Sequence, residues 1–514
     1  MRPVHSLLPL LVLLLSGGPA ARAQAPAGGA GTHAFVGVHV VDLAGDSIQP
    51  RRTVIVRDGR IAAVGPADSV VVPADAERIE LRGAFLMPGL ADLHSHAIDP
   101  SVLPLYLASG VTTVQLLNAG PEVLEWARAA EDGRLLGPRI AACAGPVSGI
   151  ATAEAARAAV AERSALGFDC IKPYDGLSRE AFAALVAEAD RRRVRTVSHI
   201  PRKLGWQDML EVAPGAVAHA EELLYSPIES AADLDRIVRE MAERRIGLVT
   251  TLVNYDYISR QPAQLDRLLE RDELRLVPAV ERRAWSPALN RYAKWFGAPD
   301  VPRLRRLLGF QRDLVRRLHA AGAPVLLGTD AGNTFVVPGV SVHEELRQLV
   351  AAGLTPAAAL RAGTTEAARF LGVAGERGTV AVGMQADLVL VLGNPLADVA
   401  SAELVAGTMT RGRWLPAERL RAELARLREA LRLEEELVRR VEGEGVDAAL
   451  RWLAGRPDAA TLRPRALNEL GYQLWRLEQR LPEAVRVFEA NARLHPEWGS
   501  AAESLAEARA AEAP

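Results

Sequence analysis

Cysteine is nearly absent: 514 residues carry two, Cys143 and Cys170. Two are too few for a disulfide framework. Both stand in apolar, strand-like runs, where buried thiols are the expected state and one disulfide is the alternative in an oxidising compartment. An excess of one charge is missing as well. The balance of 61 basic and 63 acidic residues leaves −2, which excludes the strongly basic surface that a nucleic-acid partner requires. No apolar run reaches the roughly 20 residues needed to span a bilayer. The most apolar stretch, residues 7–15, follows Arg2 and His5 and leads through small residues to Ala21-Arg22-Ala23 before Gln24. That three-part plan predicts a cleaved secretory signal over residues 1–23, hence a periplasmic or secreted protein without a transmembrane anchor.

What is present is ordinary globular material, 49% hydrophobic and 24% charged, with length for two to four domains. Short β-like runs with turn signals occupy residues 32–85, including Asp58-Gly59 between alternating segments, a hairpin signal. A similar passage returns over 373–416. The two pieces predict one small β-sandwich domain assembled from both flanks of a larger unit. That unit, 86–372, alternates strand candidates (TTVQLLN, RIAACAG, CIKPY, RTVSHI, AVAHA, GLVTTLV, PVLLGTD) with helices near 153–166, 178–192, 231–245, 302–321, 342–352 and 356–371. Repeated strand–helix units predict an α/β fold, and eight of them close a (β/α)₈ TIM barrel. Residues 417–514 predict an all-α tail: Leu420, Leu424, Leu427, Leu431 and Val438 keep helical spacing. Ala484, Phe488 and Pro496, with Leu470-Gly471 upstream, resemble part of a tetratricopeptide repeat, which makes protein contacts or oligomerisation a role for the tail. With about one and a half repeats visible, fewer than the three normally needed for stability, the tail is expected to pack on its first helix or on the barrel.

The chemistry concentrates in Met87-Pro88-Gly89-Leu90-Ala91-Asp92-Leu93-His94-Ser95-His96. Side chains alternate along a strand, so Asp92, His94 and His96 share one face, with the two imidazoles near enough to grip one cation. They fall at a strand's C-terminal end, where barrel active sites lie. PGLADLHSH resembles the first-strand motif of the amidohydrolase superfamily, and the likeness continues through LASGVTTV, GPRI, GLTPAAALRAGTTEAARFLG and GTVAVGMQADLVLVLGNPL, over roughly residues 34–416.

That resemblance, nearest to the imidazolonepropionase and prolidase-like branch, implies further ligands at later strand ends. Lys172 matches the fourth-strand lysine that is carboxylated to bridge two metals. The lysine must be neutral to take up CO₂, so burial has to lower its pKa. His199 and His219 match the fifth- and sixth-strand ligands, and Asp330, in PVLLGTDAG, the eighth-strand aspartate that also carries protons. Asp92 reads as support for the ligating histidines. His343 stands in a capping-box pattern with Ser341 and Glu344 and reads equally as a helix-start residue or as a catalytic residue contacting substrate at the rim. Tyr225, Tyr255 and Tyr257 are candidates to polarise a carbonyl. An insertion near 255–300, with Arg282, Arg283, Lys294 and several aromatics, reads either as a lid for a carboxylate-bearing substrate or as a helical insertion with a solvated basic face.

Together these imply a metal-dependent hydrolase of carbon–nitrogen bonds with one or two divalent ions, zinc first: His94, His96 and Asp330 on one ion, His199 and His219 on the other, Lys172 between. A small molecule is the expected partner, a dipeptide or N-acyl amino acid the leading substrate. Two rivals stand. One is a mononuclear deaminase or cyclic-amide hydrolase of the same superfamily, disfavoured by Lys172 and by Ile200-Pro201-Arg202 in place of an acid after His199. The other is an exported, inactive binding protein working through its tail.

Overall fold

The computed structural model describes residues 31–97 and 99–512; the signal-like segment 1–23 lies outside the described residues. Strands β1 (Thr32–Asp42), β2 (Ser47–Arg57), β3 (Arg60–Pro66), β4 (Glu77–Ile79) and β5 (Phe85–Pro88) precede the barrel. Three others, β14 (Leu388–Val391), β15 (Val405–Thr410) and β16 (Arg413–Pro416), follow it. All eight form one sheet in the order β16-β15-β14-β5-β1-β2-β3, with β4 beside β1. The flanks meet where β5 pairs antiparallel with β14, Leu86 opposite Leu390. Asp58 and Gly59 turn between β2 and β3 with φ of 51° and 77°, the left-handed pair that a two-residue hairpin requires. Phe35 on β1 and Trp414 on β16 are four strand spacings apart, about 19 Å in a flat sheet. Their ring centroids lie 5.2 Å apart. The sheet therefore coils over itself and encloses its own apolar core, Val38, Val54, Leu388 and Met409 among its members.

Between the flanks, β6 (Leu90–Ser95), β7 (Val111–Ala119), β8 (Arg139–Val147), β9 (Cys170–Pro173), β10 (Arg195–Ser198), β11 (Ala216–Val217), β12 (Gly247–Val249) and β13 (Val325–Leu326) pair in parallel in chain order. Hydrogen bonds from the Leu93 N–H to the Leu327 carbonyl (2.9 Å) and from the Asp330 N–H to the His94 carbonyl (2.7 Å) close the ring. Helices such as Ala153–Leu166, Arg179–Arg192 and Val340–Ala351 return the chain outside it, making a (β/α)₈ barrel. Its interior is filled by inward residues of successive strands, including Leu93, Leu117, Val197, Ala218 and Leu326, a packed core and not a pore. Among the described residues no helix is long and apolar enough to cross a membrane.

Two expectations change here. The run GLVTTLV is strand only to Val249. Thr251 turns left-handed (φ 47°) and a helix, Leu252–Leu269, begins. The cause is distant in sequence: the buried Glu345 carboxylate accepts from the Thr250 hydroxyl and from the N–H groups of Leu252 (3.1 Å) and Val253 (2.7 Å), capping the new helix. The cysteines are not free thiols. Cys143 and Cys170 are register partners on β8 and β9, with Cα atoms 4.3 Å apart, and form a disulfide inside the barrel.

The tail opens with a 28-residue helix, Ala417–Glu444, whose Leu427 and Leu431 join the main barrel core. Shorter helices follow, Val446–Ala454, Pro464–Tyr472, Leu481–Leu494 and Gly499–Glu512. Gly471 lets two of them approach: a Cβ there would sit 2.5 Å from the Phe488 ring. The tail core also takes in Ala279 and Val280 of the insertion between β12 and β13.

Candidate active site

The C-terminal ends of the barrel strands surround a cavity of about 320 Å³, lined among others by His96, Lys172, His199, His219 and Asp330. His94 lies buried at its base, its Nε2 3.3 Å from His96 Nε2 and 3.4 Å from Lys172 Nζ. Asp330 Oδ1 stands 3.4 Å from His94 Nε2 and 3.2 Å from His96 Nε2. One donor atom each from His94, His219 and Asp330 lie within 4.8 Å of one another. The His199 and His219 rings are 4.9 Å apart. All six residues expected as metal ligands are thus brought together.

The imidazoles are oriented from behind. His94 Nδ1 donates to the Ala218 carbonyl (3.1 Å) and His96 Nδ1 to the Leu117 carbonyl (2.9 Å). His199 Nδ1 meets Glu222 Oε1 at 2.7 Å, and His219 Nδ1 meets the Thr251 hydroxyl at 2.9 Å. A proton held on Nδ1 by these acceptors leaves Nε2 a lone pair. For His94 and His96 this means two lone pairs facing at 3.3 Å, with the Asp330 carboxylate beside them and Asp330 Oδ1 buried without a hydrogen-bond donor. Such a set repels itself unless a cation sits among its members. Four imidazoles, a carboxylate and an amine also match the nitrogen and oxygen donors that zinc and similar ions take. The residues fit a divalent metal.

Charge states agree. Burial, with His219 and Lys172 adjacent, holds His94 well below the ordinary histidine range, and burial takes His219 down to about 3. Burial likewise lowers Lys172, toward the neutral amine that carboxylation needs. Burial alone would raise Asp330, but positive charge among His219, His94 and His96 takes its carboxyl well below the usual range. Its Oδ2 accepts from Asn254 Nδ2 (2.9 Å) and Asn333 Nδ2 (2.5 Å), which aims Oδ1 at the histidines. Asn118, Thr251 and Asp330, all at strand ends, have φ of 70°, 47° and 65°. Left-handed non-glycine backbone of this kind costs on the order of 1–3 kcal/mol per residue and gathers at functional sites.

Asp92 acts one layer below. It accepts from the Thr329 hydroxyl (2.6 Å), the Thr329 N–H (3.0 Å) and the His94 N–H (3.2 Å). It fastens the histidine strand to the chain entering Asp330, and touches no imidazole. Gly328 makes the same junction possible, because a Cβ there would collide with Val249 and come within 2.8 Å of His94 Cβ.

His343 is a correction. Its helix begins at Val340 after Gly339, so Ser341 is not the cap. The Ser341 hydroxyl accepts from the Val337 N–H instead. His343 is buried against the Ser109 carbonyl (2.9 Å) and is not among the residues lining the cavity. It packs the outer helix against the barrel. Tyr225, Tyr255 and Tyr257 are not among the residues lining the cavity. Tyr257 donates to Glu344 Oε1 (2.5 Å), and Tyr225 lies half exposed under the Arg202 guanidinium, 3.7 Å from its ring centre. Tyr174 and Tyr292 line the cavity in their place.

The insertion divides its basic residues. Arg282 pairs with Glu435 and Arg283 with Glu478, both in the tail, whereas Arg291 and Tyr292 reach the cavity. Arg291 and Arg202 have no ion-pair partner among the described residues.

Glu222 and Asn333 were the readable omissions. Glu222 follows His219 by three residues and Asn333 follows Asp330 by three, close enough in sequence to be drawn into the same strand end. Tyr174, two after Lys172, shares its alternation.

Comparison with known proteins agrees with this geometry. The model of the amidohydrolase family matches residues 85–415, well over half of the chain. An imidazolonepropionase from Rubrobacter xylanophilus is 28% identical over 371 residues, covering 66% of this chain and 84% of that protein. A shorter match, 46% identical to a deacetylase of Agrobacterium fabrum, spans 12% of this chain and only 16% of that protein's length. Among solved structures, a protein described as a prolidase candidate from Bifidobacterium longum superposes with TM-score 0.60 at 26% identity, covering 77% of this chain and 99% of that one. The bottromycin amidohydrolase does so with TM-score 0.64 at 27% identity, covering 78% and 91%. With the barrel, the strand-end ligand pattern and the family match in agreement, the chain belongs to the amidohydrolase family and is a hydrolase of carbon–nitrogen bonds.

Proposed function

We propose that this hydrolase holds two divalent ions, zinc first, and cleaves the amide of a small carboxylate-bearing substrate, a dipeptide or N-acyl amino acid. The observation that carries the reading is the set of four imidazoles with Nδ1 tied back and Nε2 free, gathered around the undonated Asp330 Oδ1 and Lys172 Nζ. His94, His96 and Asp330 would hold one ion, His199 and His219 the other, and Lys172 as its carbamate would join them. Bound ions there supply Lewis acidity, lowering the pKa of water from 15.7 to about 7 and polarising the scissile carbonyl.

The remaining work belongs to the chain. Asp330 Oδ1 is the acceptor for the proton of the attacking water and returns it to the leaving nitrogen, while Asn254 and Asn333 keep Oδ2 turned away. Glu222 fixes the ring of His199 and accepts the Ile200 N–H (2.9 Å). Arg291 and Arg202, at the cavity and with no ion pair among the described residues, bind the substrate carboxylate, for which guanidinium geometry is suited. The neighbours with prolidase and amidohydrolase names support a small amide substrate.

The N-terminal pattern supports export, and the disulfide suits an oxidising compartment. A mononuclear reading has one observation in its favour, since the tightest triad, His94, His219 and Asp330, crosses the two proposed ion sites.

The test is metal content at saturation together with turnover of dipeptides and N-acyl amino acids and their C-terminal amides. Two ions per chain, half lost in Lys172→Ala, and selectivity for free carboxylates are expected. One ion with full activity of Lys172→Ala refutes the binuclear reading, and indifference to amidation refutes the carboxylate reading.

A further inference from the structure

The helical tail lies beyond the family match, which ends at residue 415, yet it grips the two chain segments that frame the cavity. Asp99, three residues after His96, is buried, and Arg463 of the tail pairs with it at 2.5 Å. The same guanidinium pairs at 2.5 Å with Glu434 on the long tail helix. Glu434 in turn uses Oε1 to accept the Val280 N–H of the insertion (2.9 Å). The Val280 carbonyl accepts from tail residue Gln473 (2.8 Å), and Arg283 donates to Gln473 (3.1 Å) and Glu478 (2.6 Å). Ala279 and Val280 are buried in the tail's own apolar core. Both backbone polar groups of Val280 are thus taken by tail side chains, an arrangement that a loosely appended domain does not need.

The grip is transmitted toward the cavity. Trp285 packs on Phe335 with ring centroids 5.4 Å apart, in the loop that follows Asp330. Asn290, fully buried, donates to Gln261 Oε1 (2.7 Å) and accepts from the N–H groups of Tyr292 (2.9 Å) and Ala293 (3.3 Å). It thereby caps the short helix Arg291–Trp295, whose first two residues face the cavity.

We infer that the tail is a structural arm of the substrate-binding face. Arg463, bridging Asp99 and Glu434, is a positioning residue that fixes the insertion so that Arg291 and Tyr292 stand over the cavity. The inference rests on the reading that Arg291 takes the substrate carboxylate, and it assigns the tail's barrel-facing side to this chain and not to a partner.

The test is Arg463→Met in the full chain, which keeps an unbranched side chain and removes the charge. Amide hydrogen exchange is measured without metal or substrate, and kinetics on the metal-loaded protein with the best carboxylate substrate and its C-terminal amide. Exchange over residues 279–296 should speed by about tenfold with the barrel strands unchanged. KM for the carboxylate substrate should rise by about tenfold with kcat within about threefold, and the amide should be unaffected. Metal content should not change. Glu434→Gln keeps the volume and an oxygen for Val280 and should give the same split at smaller amplitude, which covers failure of the first variant to fold.

Wild-type exchange over 279–296 in both variants overturns the inference, as does an equal rise of KM for both substrates. A wild-type enzyme indifferent to amidation sinks the carboxylate reading alone. The exchange data then still decide whether Arg463 holds the insertion.

Discussion

Asparagine in place of Asp330 would ordinarily be read as loss of charge with a ligand oxygen retained. The surroundings of Asp330 predict otherwise. Its Oδ2 accepts from Asn254 and Asn333, while Oδ1 faces His94 and His96. An asparagine must place its oxygen toward one side and its NH₂ toward the other. Asn254 can turn its own amide to suit either choice, because its Oδ1 has no partner to lose. Asn333 cannot, since its Oδ1 accepts from Arg291 (3.2 Å) and its NH₂ is therefore committed to position 330. The new oxygen should turn to Asn333, leaving an NH₂ without a lone pair where the ligand oxygen stood. Opposing this orientation leaves a buried donor unsatisfied at about 1–3 kcal/mol, roughly 5- to 150-fold in metal affinity. Asp330→Asn should therefore weaken metal binding by at least that range, the lost negative charge adding to it. Asn333→Asp in the same background supplies an acceptor for the new NH₂ and should restore metal but not turnover, since no proton acceptor returns to position 330. Metal titration by calorimetry and elemental analysis separates the cases. Wild-type affinity in the single variant, or no recovery in the double, refutes the orientation mechanism.

Burial, with Glu434 and Asp99 nearby, pushes Glu281 up to about 8, against the opposing pull of Arg463. A folded-state pKa above the unfolded 4.5 means stability that is full below pH 4.5 and falls as pH rises through about 8. Glu281→Gln should therefore gain Tm over wild type progressively from pH 4.5 toward about 8 and level off above it; a Tm difference independent of pH would contradict this. Truncation after Pro416 removes Leu420, Leu427 and Leu431, uncovers the Leu107 and Leu415 surface that Leu420 covers, and leaves Asp99 buried without Arg463, so the product should be insoluble or have a sharply lowered Tm, and a soluble fragment of wild-type Tm would contradict it. The disulfide closes a 27-residue separation, worth about 3–4 kcal/mol on the loop-entropy model. Cys143→Ala/Cys170→Ala should lose roughly that stability in denaturant titration, and intact mass before and after reduction should differ by the two hydrogens of one bond.

The cluster proposed to hold metal was legible because its signal is local. His94 and His96 announce themselves by strand alternation beside Pro88-Gly89, and Lys172, His199, His219 and Asp330 each end an apolar run. His343 misled for the same reason: a capping-box spacing is a local pattern, but which way the helix faces is set by packing on Ser109, 234 residues away. The Cys143–Cys170 bond depends on the register between β8 and β9, and sequence spacing does not encode register across a helical crossover. Thr251 shows the limit most clearly. A β-branched run predicts strand, and only Glu345, from an outer helix, turns it into a helix start and so delivers a hydroxyl to His219.

The role inferred for the tail illustrates how a segment without catalytic motifs can become part of a site. Its helical periodicity is plain in sequence, but its face against the barrel depends on charged residues that read individually as surface: Asp99, Arg283, Glu434 and Arg463. In the fold three of them are nearly buried, Asp99 at 7% exposure, Arg283 at 7% and Glu434 at 1%. Breaking one partner of a buried ion pair typically costs 3–5 kcal/mol, because the other charge is left in a dry setting. Buried ion pairs are often no more stabilising than apolar contacts of similar volume, and in some systems they act by holding one geometry. On the inference drawn above, this network holds the spacing between the loop after His96 and the insertion that presents Arg291. On the proposed reading, barrel chemistry comes from the strand ends and the edge that takes the substrate carboxylate is held by the tail.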